Sequence, residues 1–126
     1  MTRILIVDDN PTNLKLVTFL VKAQGYDVAT ASDAGAALAS IHANRPTVIL
    51  MDLQLPGIDG LELTRRLKSD PATRVIPIIA VTAYAMKGDH EKALSAGCDD
   101  YVTKPIDTRT LPEVIAKQVM RAERVS

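Results

Sequence analysis

Four short apolar runs each end at a polar residue. Arg3 to Val7 ends in Asp8-Asp9, Thr47 to Met51 in Asp52, Ile78 to Val81 in Thr82, and Tyr101 to Thr103 in Lys104-Pro105. A fifth strand-like run covers Tyr26 to Thr30. Between the runs, apolar residues recur at helical spacing. Asn10-Pro11 reads as an N-cap followed by proline at the first helical position, where a missing N–H is harmless. Leu14, Val17 and Val21 then form a stripe, widened by Leu16 and Leu20, and Gly25 ends that helix. Ser32 or Asp33 caps a second helix carrying Ala37, Leu38 and Ile41, which Pro46 stops. After a Pro56-Gly57 turn, Asp59 and Glu62 have capping-box spacing, and Leu63 and Leu67 lie on the helix that follows. A fourth helix runs from about Tyr84 to Ala96 and ends at Gly97. Thr110 and Glu113 give a second capping box, with Leu111, Val114, Ile115 and Val119 as the last apolar stripe.

The run Val48 to Met51 is continuously apolar, as in a strand covered on both faces. Strands alternating with helices of 10–15 residues predict right-handed βαβ units and an open parallel sheet. Ligands of such sheets bind beyond the carboxyl ends of the strands. Asp8, Asp9, Asp52, Thr82 and Lys104 all fall at those ends. The fourth helix is the weak one: its large apolar residues are Tyr84, Met86 and Leu94, and the rest is alanine, charge and Lys87-Gly88-Asp89. A thin stripe predicts weak docking and low local stability.

At 126 residues, 47% of them hydrophobic, the chain has room for one domain with a core on both sheet faces. The formal net charge is zero, so a basic field for nucleic acid is absent. No apolar stretch approaches the roughly 18 residues that span a bilayer, and no signal-peptide pattern follows Met1. The single cysteine, Cys98, fits a reducing cytoplasm and a packed position beside Gly97. His42 and His90 read as surface residues, without the acids and aromatics expected around a phosphoryl-donating histidine.

Three carboxylates, a hydroxyl and an ammonium at one sheet edge suit a divalent metal and a phosphoryl group. Adjacent carboxylates repel unless a cation lies between them. Mg²⁺ prefers oxygen ligands and binds through one or two carboxylates plus a phosphate. Asp52 is the candidate nucleophile, since aspartate can form an aspartyl phosphate. The Pro56-Gly57 turn is expected to leave its carboxylate open to solvent. Lys104 would neutralise charge on the incoming oxygens, and Thr82 can donate a hydrogen bond to them. Pro105 invites a cis bond that re-aims Lys104.

The stretches LIVDDNPTN, ILMDLQLPGIDGLE, PIIAVTAYAMKGD and AGCDDYVTKPI resemble the CheY-like receiver domain of two-component response regulators. The resemblance spans roughly Arg3 to Val119. It implies a flavodoxin-like (βα)5 three-layer sandwich with a five-stranded parallel sheet in the order 2-1-3-4-5. Asp52 matches the phosphoacceptor. Asp9, Asp52 and the carbonyl of Gln54 match the ligands of Mg²⁺ or Mn²⁺, with Asp8 acting mainly through a metal-bound water. Lys104 matches the phosphate-contacting lysine, Thr82 the switch hydroxyl and Tyr101 the switch aromatic. Gln54 and Tyr84 stand where the family tunes dephosphorylation, and a bulky Tyr84 implies a long-lived phosphoryl group.

The resemblance further implies a phosphohistidine donor, a histidine kinase or histidine phosphotransfer protein. Output would pass to a protein target through the fourth helix, fifth strand and fifth helix, including Lys87, Glu91, Tyr101 and the chain from Asp107 onward. A monomer or a phosphorylation-dependent dimer is expected, and autodephosphorylation rather than enzymatic turnover. The chain is expected to be a single receiver domain over residues 1–126, without an output domain. TAYAMKGD and AGCDDY look like single-domain regulators of the DivK type, and equally like receiver domains of hybrid histidine kinases. An FMN-binding flavodoxin would need a first loop rich in Ser, Thr and Gly, where this chain has two aspartates. A haloacid-dehalogenase-type phosphatase would need an acid at Gln54. A pseudo-receiver that signals without phosphate would lack an acid, the lysine or the threonine.

Overall fold

The computed structural model describes residues 2–55, 60–82 and 87–125, with the backbone alone for 87–90 and 125. The elements alternate as expected. They are β1 (Arg3–Val7), α1 (Pro11–Ala23), β2 (Asp27–Ala31), α2 (Ala34–Ala43), β3 (Val48–Asp52), α3 (Gly60–Ser69), β4 (Ile78–Thr82), α4 (Lys87–Ala96), β5 (Asp100–Thr103) and α5 (Thr110–Val125). All five strands pair in parallel, in the order β2-β1-β3-β4-β5. The second strand begins one residue later than Tyr26. The Pro56-Gly57 turn, Asp59, Tyr84 and Met86 lie outside the described residues.

Period-2 alternation along the strands builds two cores. Ile4, Ile6, Val48, Leu50, Ile79 and Val81 face α1 and α5, meeting Val17, Val21, Leu111 and Ile115. Leu5, Val7, Ile49, Met51, Ile78 and Ala80 belong to the opposite cluster, with residues of α2, α3 and α4. Helices therefore cover both faces, which explains why β3 and β4 are buried at every position. Burial of each such large side chain contributes roughly 1.5–3 kcal/mol.

Helix ends follow the local chemistry. Asn10 accepts from the N–H groups of Thr12 and Asn13, and Asp33 from that of Ala36. Gly25 and Gly97 have φ of 90° and 108°, left-handed values that favour glycine after a helix. Thr110 is not the cap of α5. Asp107 is: its carboxylate accepts from the N–H groups of Arg109 and Thr110, and its carbonyl from Leu111. Those hydrogen bonds hold the exposed Asp107 carboxyl below the usual carboxylate range. Leu16 does not widen the α1 stripe, because it is 39% exposed.

Of the large apolar residues on which the expectation of weak docking for the fourth helix rests, Leu94 alone has a described side chain. It is 51% exposed, and the described part of α4 meets the core through the small side chains of Ala93 and Ala96. Its far end is held differently. Lys68 of α3 donates to the carbonyls of Arg74 and Ile76 and to Asp99 Oδ2, so its three ammonium protons have three acceptors. Asp99 Oδ2 also accepts from Ile78 N–H. The next residue, Asp100, reaches the other face of the sheet, where Gln118 Nε2 of α5 donates to it at 3.1 Å.

Candidate functional site

β1, β3 and β4 are adjacent and in register, so their carboxyl ends deliver Asp8, Asp52 and Thr82 side by side. Asp52 pairs with Val81, which places Thr82 one residue further out on the neighbouring strand. Thr82 in turn pairs with Thr103, and its carbonyl accepts from Lys104 N–H at 2.7 Å. The Lys104–Pro105 peptide is cis. Lys104 Nζ donates to Asp52 Oδ2 at 3.2 Å.

Carboxylate oxygens of Asp8, Asp9 and Asp52 all lie within 4.8 Å of one another. Asp9 is exposed, whereas Asp8 and Asp52 are 5% and 2% exposed. Beneath the two buried acids lies an apolar layer of Ile6, Val17, Leu50, Val81, Ile106 and Leu111. Burial is the main reason that the Asp8 carboxyl is raised above the usual carboxylate range. The N–H of Asn10 opposes that shift, the Asp52 charge adds to it, and Lys104 offsets part.

The expectation that Asp52 lies open to solvent is not met. Both of its oxygens are engaged. Oδ1 accepts from Gln54 N–H at 2.9 Å, and Oδ2 accepts from Lys104. The Gln54 side chain continues across to β4, where Nε2 donates to Thr82 Oγ1 at 2.9 Å. Thr82 is 1% exposed.

Two contributors carry no clear sequence signal. Gly60, the first residue of α3, sits against the backbone of Asp52 and Leu53. A Cβ there would lie 2.7 Å from Leu53 Cα. Only glycine lets α3 start so close behind Asp52. The Gln54 side-chain amide is the other, since it joins the residues after β3 to the end of β4, 28 positions on. Tyr101 is half-buried against the core cluster on the α3 and α4 side. Cys98 is buried, which pushes its thiol up to about 11. Among the described residues no helix is long and apolar enough to cross a membrane.

The acid trio offers a fit for a hard divalent cation. Among the described residues three carboxylates face one ammonium, all the side-chain donors are oxygen, and burial, with the Asp52 charge adding to it, raises the Asp8 carboxyl. An open parallel sheet with an acid-rich crevice at its carboxyl edge, one lysine and one buried threonine defines a small class of proteins. Residues 4–116 match the response regulator receiver domain model, and the chain belongs to that family of two-component signalling domains. It is 46% identical over 112 residues to the polar-differentiation response regulator DivK of Brucella anthropi, covering 89% of this chain and 91% of that one. The DivK of Brucella ovis is 45% identical over the same length. A CheY-like receiver domain protein from Methanospirillum hungatei superposes with a TM-score of 0.90 at 32% identity, covering 100% of this chain and 99% of that one. The receiver domain of sensor histidine kinase PA1611 from Pseudomonas aeruginosa was solved with a magnesium ion coordinated in the active site cleft. It superposes with a TM-score of 0.85 at 36% identity, covering 94% of this chain and 97% of that one.

Proposed function

We propose that this receiver domain is a phosphoacceptor switch in which Asp52 takes a phosphoryl group from a partner's phosphohistidine. The observation that carries the reading is the buried Asp52 carboxylate, close to two other acids and with Lys104 on one oxygen. An oxygen of Asp52 attacks phosphorus as the P–N bond breaks, and the leaving imidazole keeps the bond electrons. The product is an aspartyl phosphate. Asp9, Asp52 and the Gln54 carbonyl would hold Mg²⁺ or Mn²⁺, with Asp8 acting through a metal-bound water. The cation would supply positive charge for the phosphoryl oxygens. Lys104 is within reach to balance charge on the same oxygens.

The hydroxyl of Thr82 donates to the new phosphoryl group, and Tyr101 and α4 follow. The shallow alanine contacts of α4 support such a movement. The altered α4-β5-α5 surface then meets a protein target. The acceptor assists its own phosphorylation and hydrolysis and does not act on a free substrate. A cytoplasmic regulator of the DivK kind is the first reading, supported by DivK relatives that are matched over 91% of their own length. A receiver within a hybrid histidine kinase is the second reading, prompted by the likeness to the PA1611 domain.

Incubation with acetyl phosphate and Mg²⁺, followed by intact-mass measurement, tests the reading. One phosphoryl adduct is expected, absent without Mg²⁺ and absent in Asp52→Asn. No adduct on the wild-type chain would reject it.

A further inference from the structure

We propose that Gln54 is a positioning residue for the switch: its side-chain amide holds the Thr82 hydroxyl where it lies before phosphorylation. This deepens the phosphoacceptor reading and rests on it. The Gln54 backbone is fixed first, because its N–H donates to Asp52 Oδ1 at 2.9 Å. From that root the side chain bridges from the end of β3 to the end of β4 and donates to Thr82 Oγ1 at 2.9 Å. The same residue therefore touches the acceptor with its backbone and the switch hydroxyl with its amide.

The chemistry gives the bridge a direction. In the bond to Gln54, the Thr82 oxygen is the acceptor. In a bond to a phosphoryl oxygen, the hydroxyl must donate, so the amide leaves its proton available and resists only displacement of the oxygen. At 1% exposure the hydroxyl has little access to water, so stretching the amide bond is costly there and takes a strong pull. A phosphoryl oxygen supplies that pull, since charge-assisted hydrogen bonds are roughly twice as strong as neutral ones. Phosphorylation thus draws Thr82 away from a partner that resists. Removing the amide removes the resistance and moves the equilibrium toward the switched position.

The test is beryllofluoride binding with Mg²⁺, followed by titration calorimetry on wild type, Gln54→Met and Gln54→Asn. Methionine keeps the length without a donor, and asparagine keeps the amide but is one methylene too short. Both are expected to bind beryllofluoride about three- to tenfold more tightly than wild type, the amount one modest hydrogen bond supplies. In the Thr82→Ala background the same substitutions should have no such effect. Without beryllofluoride, the Thr82 methyl resonance of Gln54→Met should already sit part-way toward its bound position. A role in packing alone would weaken binding and leave that resonance in place. Equal or weaker binding by both variants overturns the proposal. Failure of the wild-type chain to bind beryllofluoride would instead reject the phosphoacceptor reading beneath it.

Discussion

Two lysine–aspartate pairs sit at opposite ends of the same sheet, and they do opposite things. At the amino ends of β4 and β5, Lys68 meets Asp99 at 2.8 Å and shares its remaining protons with two carbonyls. At the carboxyl ends, Lys104 meets Asp52 at 3.2 Å, and two further carboxylates crowd the same space. The first pair is saturated and ties α3 to the chain entering β5. Among the described residues, the second leaves negative charge in excess.

Removing each lysine should separate the two ends. Lys104→Met should slow phosphorylation by acetyl phosphate by about a hundredfold or more, the scale of losing a main charge partner for developing oxyanions. It should also lower Tm in EDTA, with much of the loss recovered on adding Mg²⁺. Lys68→Met should leave phosphorylation of Asp52 close to wild type. Its Tm should fall by about 6–10 °C, from about 2 kcal/mol of charged hydrogen bonds, with no recovery in Mg²⁺. Phosphorylation kinetics and thermal melts with and without Mg²⁺ read both outcomes.

The crowded end should be relieved by taking away one charge. The folded-state pKa of Asp8 is raised, so between 3.8 and its folded value the folded chain holds more proton than the unfolded one. Stability from this group therefore falls as pH rises through that window, and a constant penalty remains above it. Asp8→Asn should raise Tm at neutral pH by about 2–5 °C in EDTA, and the gain should vanish below pH 3.8. The same variant should bind Mg²⁺ more weakly. A Tm equal to wild type at pH 7 would remove the claim of crowding.

Cys98 sharpens the comparison from the packed side. It lies beside the Lys68 clamp, buried, with its thiol pushed up to about 11. At pH 8 it should react with Ellman's reagent at least about a hundredfold more slowly than in denatured protein, because the thiolate is the reactive form. Lys68→Met should accelerate the reaction, and Lys104→Met should not. The smallest effect expected is at the start of α5. Asp107→Ala should lower Tm at neutral pH by about 1–3 °C, while Thr110→Ala changes it less. The depressed Asp107 carboxyl contributes stability above its unfolded pKa, so the gap should close as pH falls through the folded value.

Much of this was legible in the chain because it depends on short-range pattern. Each apolar run gave a strand, and a candidate site residue stands at the end of four of the five, since a parallel sheet gathers the ends of its strands. The misread details depend on partners distant in sequence or on choices between similar signals. Thr110 and Asp107 are both capping residues three apart, and only the backbone shows which carboxylate or hydroxyl the N–H groups meet. Leu16 continues a plausible stripe, yet α1 turns it outward. Lys68 reads as an ordinary charged helix residue until the 70–77 loop and Asp99 close around it. Gly60 and the Gln54 side chain act across loops, where periodicity carries no information.

The most direct measurement is the Tm of the wild-type chain and of Asp9→Asn as Mg²⁺ is raised from EDTA into the millimolar range. If the carboxyl end is left in negative excess for a divalent cation, the wild-type Tm should climb with the logarithm of Mg²⁺. At a hundredfold over Kd the gain should reach about 2.7 kcal/mol, or roughly 8–12 °C, with most of the climb lost in Asp9→Asn. A wild-type Tm that does not move, or a climb of equal size in the variant, would contradict the account.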